Sequence, residues 1–178
     1  YPKLFRGLER VYMRLFNFFT NLSVRSADKS ISISNFLREQ LKKETGIDGE
    51  VKYVKVDSKK YNKIINMKKV AEIIRKNKLK KPILLYVGRI SPHKGVHLLL
   101  RAFKIIKQKI PTATLVIVGK HTFDNYSKKL EATAEEINKN SSGNNGVVFT
   151  GFVEEEELPH YFHAADLYVT GTLWEGFD

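Results

Sequence analysis

The stretch LLYVGRISPHKGVHLLLRAF, residues 84–103, decides the fold, because an apolar run leads through a loop with two glycines into an amphipathic segment. The run 84–87 lies between Pro82 and Gly88 and is typical of a buried parallel strand. Beyond the loop, apolar residues recur every three or four positions and predict a helix with one face on the sheet: Val96, Leu99, Leu100, Phe103, Ile106 and Ile110.

The loop between this strand and this helix carries positive charge where the helix begins. It holds Arg89, Ser91, His93 and Lys94. The first amide groups of a helix have no partners inside the helix, and the helix dipole makes that end positive. Because unpaired amides and two cations attract an anion, we expect a phosphate site here. The structural alternative is that Arg89 pairs with a carboxylate and that Lys94 is plain surface.

The rest of the chain continues the alternation of strand and helix. We expect strands at 83–87, 114–118, 147–150 and 167–170, and helices at 96–109, 126–139 and 155–164. This order favours right-handed crossovers and a parallel, doubly wound sheet. Ligands of such sheets bind at the carboxyl ends of the strands, so four loops are expected to open to one crevice: 88–95, 119–125, 151–156 and 170–178.

The segments before residue 82 are less regular. Residues 29–34 alternate like a strand, and Ser34 or Asn35 can cap a helix that ends at Gly46. A second strand is indicated at 51–56. Residues 57–80 are rich in Lys and Asn, with a modest helix at 67–76, and this change in composition indicates a linker into a second unit.

Composition limits the classes of function. With 178 residues, of which 42% are hydrophobic, the chain can bury a core of its own. The 31 Lys and Arg against 19 Asp and Glu give a net charge of +12, which favours polyanions, phosphorylated small molecules or anionic lipid surfaces. The lack of cysteine excludes disulfides and thiolate metal sites. Without a signal peptide or a long apolar run, we expect the protein in the cytoplasm or on the cytoplasmic face of the membrane.

Residues 3–22 form a strong amphipathic pattern. Leu, Val, Phe and Tyr side chains make a broad apolar arc, and Lys, Arg and Asn lie on the other side. A helix of this kind can lie on an anionic membrane, so we expect a peripheral membrane contact through 3–22. A wide apolar arc is also typical of a helix packed against the core of a domain, and the sequence leaves both interpretations open.

Four segments together resemble a known family, the retaining nucleotide-sugar glycosyltransferases of GT-B architecture (glycosyltransferase group 1, family 4). These segments are ADKSISISNFLREQL at 27–41, YVGRISPHKGVHLLLRAF at 86–103, ATLVIVGKH at 113–121 and GFVEEEELPHYFHAADLYVTGTLWEGFD at 151–178. Their order and spacing match the family over nearly the whole chain beyond residue 26.

The resemblance implies two Rossmann-like domains, of which the first holds the acceptor and the second the nucleotide-sugar donor. Residues 1–56 would be the tail of the acceptor domain with the crossover. Residues 57–178 would be a donor domain that is incomplete at its carboxyl end. The activity implied is transfer of a hexose from a UDP- or GDP-sugar to an acceptor hydroxyl of a glycan or lipid, with retention and without a metal or other cofactor. This fragment alone is expected to be inactive.

The resemblance also implies roles for particular residues. Arg89 and Lys94 would bind the donor diphosphate and stabilise its charge as it leaves, and Glu175 would bind hydroxyls of the transferred sugar. We therefore expect these three residues to carry the catalysis. The donor site as a whole would comprise Gly88, Arg89, Lys94, Gly119, Phe152, Val153, Glu175, Gly176 and Phe177, with Phe152 and Val153 beside the nucleotide base.

Two other functions are compatible with parts of the sequence. A basic module that grips nucleic acid would explain the net charge of +12, but the chain has no helix-turn-helix signature, zinc ligands or paired aromatic strands of an RNA-binding sheet. We therefore expect no nucleic-acid partner. A sugar-nucleotide epimerase of GT-B architecture is the other alternative, although the sequence around Lys94 and Glu175 is less like those enzymes.

Overall fold

The structure, a computed structural model, describes residues 8–55, 65–141 and 146–175. By their mutual contacts, residues 8–55 with Glu175 form a first unit, and residues 65–174 form a second unit. The predicted boundary between residues 56 and 57 lies outside the described residues. The assignment of 1–56 to an acceptor domain and of 57–178 to a donor domain therefore stays a prediction.

The first unit is built from short elements. In chain order they are α1 (Leu8–Arg25), β1 (Ile31–Ser32), α2 (Asn35–Thr45) and β2 (Glu50–Val51). The strands are shorter than predicted, and they pair in parallel with Ile31 opposite Glu50. Ser34 caps α2 by accepting a hydrogen bond from the amide of Leu37 at 3.2 Å. Gly46, at a φ of 79°, ends the helix as the sequence predicted.

The second unit alternates strand and helix around one parallel sheet. Its elements are α3 (Met67–Lys76), β3 (Ile83–Val87), a 3₁₀ turn (Pro92–Lys94), α4 (Val96–Lys109), β4 (Thr114–Val118), α5 (Asp124–Lys139), β5 (Val147–Gly151), α6 (Leu158–Ala164) and β6 (Leu167–Tyr168). The strand order is β5-β4-β3-β6, and every neighbouring pair is parallel. The predicted α/β fold with a Rossmann-like sheet is confirmed.

Helices cover both faces of this sheet. On one face, Leu84 and Tyr86 of β3 pack with Leu100 and Phe103 of α4, and α5 completes this core through Leu130. On the other face, a second core joins strands β3, β4 and β5 to α3 and α6: Ile83, Leu85, Val116, Val118 and Val148, with Ile73, Ile74, Leu158 and Tyr161 at its edge. Burial on both faces explains why β3 and β4 are almost continuously apolar.

Helix α6 begins later than predicted. Its first residue is Leu158 rather than a residue near 155, and the acidic segment before it forms a turn in which the amide of Glu157 donates to the carbonyl of Glu154 at 3.0 Å. Pro159 supplies the physical reason, because proline has no amide hydrogen and is tolerated in the first turn of a helix but not further in.

Candidate functional site

The loops after β3, β4, β5 and β6 lie at one edge of the sheet, as the parallel order requires. Pairing continues past the strand ends: the amide of Gly88 donates to the carbonyl of Val118 at 3.0 Å, and that of Gly119 to the carbonyl of Gly151 at 2.9 Å. At Gly119, with a φ of +150°, a Cβ would overlap the carbonyl oxygen of Gly88. The candidate site residues Gly88 and Gly119 are therefore in direct contact. The residue to which Gly119 donates, Gly151, directly precedes Phe152.

Two hydrogen bonds hold the backbone around Arg89. The amide of the next residue, Ile90, donates to the carbonyl of Lys120 at 3.0 Å, and the hydroxyl of Tyr86 donates to the carbonyl of Arg89 at 3.1 Å. Burial raises the pKa of Tyr86 to about 12, with smaller contributions from Tyr168 and Tyr126, so this hydroxyl keeps its proton at neutral pH. The side chain of Arg89 is exposed.

Lys94 ends the 3₁₀ turn that separates β3 from α4. Its amide donates to the carbonyl of Ser91 at 3.0 Å, and its side chain is partly buried. The loop after β6 reaches the same turn, because the amide of Leu173 donates to the carbonyl of His93 at 2.9 Å. The turn that carries Lys94 is therefore held by both its own hydrogen bonds and the loop of a neighbouring strand.

The start of α4 differs from the sequence prediction of unpaired amides. The amides of Leu98 and Leu99 donate to the carbonyl of Gly95 at 2.8 and 3.1 Å, and the amide of His97 donates to the hydroxyl of Tyr126 at 3.3 Å. These amides are already satisfied inside the protein. The amides of residues 97–99 are therefore not free to bind an anion.

The remaining predicted site residues are spread over different surroundings. The ring of Phe152 is 68% exposed beside β5, whereas the side chain of Val153 packs against the second core. Glu175 is partly buried and belongs to the first unit, and Gly176 and Phe177 lie outside the described residues. The convergence of Arg89, Lys94 and Glu175 on one ligand therefore stays a prediction.

Two tyrosines and one glycine at this edge were not predicted as site residues. The hydroxyl of Tyr86 is hydrogen-bonded to the loop backbone at Arg89, and that of Tyr126 to the helix backbone at His97. The backbone of Gly171 lies against that of Gly95. A tyrosine within an apolar face is a signal in itself, since a buried hydroxyl needs a partner. The contact between two glycines 76 residues apart has no comparable signal in the sequence.

The part of the chain that the structure describes contains no group of three or more His, Asp and Glu side chains that could hold a metal ion. Its helices also include none that combines the length and hydropathy of a membrane span.

Comparison with known proteins identifies one enzyme family. The family model for glycosyl transferases of group 1 matches residues 67–177. The putative glycosyltransferase YtcC of Bacillus subtilis is 32% identical over 131 residues, which cover 70% of this chain and 31% of the relative. The uncharacterized glycosyltransferase MJ1069 of Methanocaldococcus jannaschii is 30% identical over 155 residues, or 83% of this chain and 33% of the relative. The chain spans about a third of the length of these relatives.

Solved structures share the fold. Anabaena HepE in complex with UDP and glucose superposes with a TM-score of 0.70 at 22% identity, covering 94% of this chain and 42% of that one. WaaG, a glycosyltransferase involved in lipopolysaccharide biosynthesis, gives a TM-score of 0.62 at 20% identity, covering 82% and 38%. At these identities, the two likenesses show a shared fold. By the family model and the sequence relatives, the chain belongs to the group 1 glycosyltransferases.

Proposed function

We propose that the protein transfers a hexose from a nucleoside diphosphate sugar to an acceptor hydroxyl, with retention of configuration at the anomeric carbon. The observation that carries the proposal is the loop after β3, which places Arg89 and Lys94 at the carboxyl edge of a parallel sheet in a chain of this family. Two cations at this edge suit a diphosphate better than a neutral ligand.

The proposed chemistry needs charge stabilisation rather than a protein nucleophile. The bond between the anomeric carbon and the diphosphate oxygen breaks, and its electron pair leaves with the nucleoside diphosphate. The acceptor oxygen forms the new bond on the same face, and its proton passes to the departing phosphate. Because negative charge grows on that phosphate in the transition state, Arg89 and Lys94 would contribute most at the moment of bond cleavage.

The other predicted residues would bind the ends of the donor. Glu175 would accept hydrogen bonds from sugar hydroxyls, with Gly176 and Phe177 beside it, and the segment of Phe152 and Val153 would contact the base. The proposed donors are UDP- and GDP-sugars. HepE, whose structure contains UDP, supports the first, and a GDP-mannose-dependent mannosyltransferase of Mycolicibacterium smegmatis, 30% identical over 88 residues, supports the second.

Family membership favours this function over the alternatives. The match to glycosyl transferases over residues 67–177 supports sugar transfer over both a basic nucleic-acid-binding module and an epimerase. The proposed acceptor is a glycan or a lipid.

We also propose that α1 contacts an anionic membrane surface, which would place the enzyme on the cytoplasmic face. Seven of its apolar side chains are each more than half exposed: Val11, Tyr12, Leu15, Phe16, Phe18, Phe19 and Leu22. Arg14 and Arg25 are exposed as well, and residues 11–25 include no acidic residue. Exposed aromatic residues next to arginines suit the boundary between lipid tails and anionic headgroups.

The catalytic proposal is tested with Arg89→Ala and Lys94→Ala in the full-length protein. Each substitution removes one positive charge from beside the leaving phosphate, so turnover of UDP- or GDP-sugar is expected to fall by roughly 100-fold or more. Arg101→Ala and Lys109→Ala are matched controls, because both side chains are exposed on α4 away from the loop. Unchanged turnover in Arg89→Ala or Lys94→Ala would refute the assignment, and NMR of the product's anomeric proton tests retention.

A further inference from the structure

Helix α4 begins at a residue that cannot cap it with a side chain. Its N-cap is Gly95, at a φ of 65°, and glycine provides no oxygen that could accept an amide hydrogen bond. The carbonyl of Gly95 accepts the amides of Leu98 and Leu99. The amide of His97 in the same turn therefore needs an acceptor from outside the helix.

Tyr126 of α5 supplies that acceptor. Its hydroxyl oxygen lies 3.3 Å from the backbone nitrogen of His97 and 2.9 Å from Nδ1 of the same residue. The two rings meet edge to face, with centroids 5.9 Å apart and an interplanar angle of 79°. One side chain of α5 thus contacts both the backbone and the side chain of a residue in the first turn of α4.

The backbone contact has a fixed direction, whereas the direction of the contact between the Tyr126 oxygen and Nδ1 of His97 follows the tautomer of the imidazole. The Tyr126 oxygen accepts from the backbone amide, and its own hydrogen is donated to Nδ1 in the tautomer of His97 that carries its hydrogen on Nε2. Burial raises the pKa of Tyr126, which keeps this hydrogen in place at neutral pH.

We propose that Tyr126 is a positioning residue for the donor diphosphate site: its hydroxyl caps α4 from the neighbouring helix and so holds the turn formed by Lys94 and Gly95. This inference rests on the proposed function, because it assumes that Lys94 binds the diphosphate. Gly95 follows Lys94 directly and is the N-cap of the capped turn. Movement of the first turn of α4 would therefore displace Lys94.

An opposite role would give the opposite result. If the Tyr126 hydroxyl only occupied an amide that the diphosphate itself uses, removing the hydroxyl would free that amide and tighten binding. The sign of the change in affinity therefore separates a cap from a competitor.

The test is calorimetric titration of the full-length Tyr126→Phe variant with whichever of UDP and GDP the unmodified protein binds. Loss of one cap is expected to weaken binding roughly three- to tenfold. In turnover assays KM for the donor rises by a similar factor, while kcat stays within about twofold because no group at the breaking bond has changed. Tyr161→Phe is the matched control, since this tyrosine lies on α6 against the other face of the sheet.

Two substitutions of the partner complete the test. His97→Asn keeps an acceptor near the position of Nδ1 and is expected to retain most of the affinity, whereas His97→Leu removes it and is expected to resemble Tyr126→Phe. Equal or tighter binding by Tyr126→Phe, or no difference between the two His97 variants, would overturn the inference. Failure of the unmodified protein to bind either nucleotide would instead count against the proposed function.

Discussion

Gly95 has a steric role as well as its place next to Lys94. Its φ of +65° is a conformation that residues with a Cβ rarely adopt. A Cβ at this position would also overlap the carbonyl oxygen of Gly171 in the loop after β6. The close approach of two loop backbones therefore requires glycine at position 95, and this requirement is separate from the charge of the neighbouring lysine.

Gly95→Ala is expected to destabilise the protein more than Gly46→Ala. Both positions have a positive φ, which costs about 1–2 kcal/mol for a residue with a Cβ, but a Cβ at Gly46 has no atom within 4 Å. The clash with Gly171 adds to the cost only at Gly95, and it also moves the turn that carries Lys94. Urea unfolding measures the difference in the free energy of unfolding. Equal losses in the two variants would show that the contact with Gly171 has no energetic importance.

At the scale of elements, β6 is tied to the start of β3 by one carboxylate. Asp166 accepts a hydrogen bond from the amide of Ile83 at 2.8 Å and from Nζ of Lys81 at 2.8 Å. The hydrogen bond from Lys81, followed by that from Ile83, lowers the pKa of Asp166 below its usual 3.8. Because β6 is a short strand at the edge of the sheet, this side chain adds to the backbone bonds that the amides of Asp166 and Val169 donate to the carbonyls of Ile83 and Leu85.

The lowered pKa gives stability that depends on pH. A carboxylate with a depressed pKa in the folded state stabilises the fold at pH values above its usual 3.8 and loses this effect as the pH falls through the folded-state pKa. Asp166→Asn is therefore expected to be less stable than the unmodified protein at neutral pH, with a difference that shrinks below about pH 4. Urea unfolding across this range, with Asp28→Asn as control, measures the effect. A constant difference at all pH values would exclude this origin.

Helix α1 is the element whose exposed apolar face needs an explanation. If it binds anionic lipid, the full-length protein sediments with phosphatidylglycerol vesicles and much less with phosphatidylcholine vesicles, and added salt weakens the binding. Combining Phe16→Ser with Phe19→Ser is expected to abolish sedimentation, whereas Ile105→Ser, at a similarly exposed residue of α4, leaves it unchanged. No sedimentation of the unmodified protein, or equal sedimentation of the double variant, would dispose of the membrane contact.

At the scale of the whole molecule, the second unit follows from the sequence almost element by element. Runs such as 83–87 and 114–118 are apolar because helices cover both sides of them, and this burial is visible in the sequence as a continuous run. Periodic apolar residues likewise predict α4, whose Val96, Leu99, Leu100 and Phe103 are buried. Patterns of this kind are local, so a single sequence is sufficient to detect them.

The features that the sequence does not predict depend on contacts between distant residues. The hydroxyl of Tyr126 reaches the first turn of α4 from another helix, and the carboxylate of Asp166 joins strands 83 residues apart. The prediction of free amides at the start of α4 is wrong at His97 for this reason. Whether Arg89 and Lys94 converge on one ligand likewise depends on tertiary arrangement rather than on local pattern.

The central claim is that Arg89 and Lys94 hold the diphosphate of the donor, and paired titrations test it most directly. The full-length protein and the double variant Arg89→Ala with Lys94→Ala are each titrated with a nucleoside diphosphate and the matching monophosphate. The unmodified protein is expected to prefer the diphosphate by about tenfold or more, because the second phosphate makes charge-assisted hydrogen bonds. The double variant is expected to bind both nucleotides equally. A double variant that keeps the full preference would contradict the account.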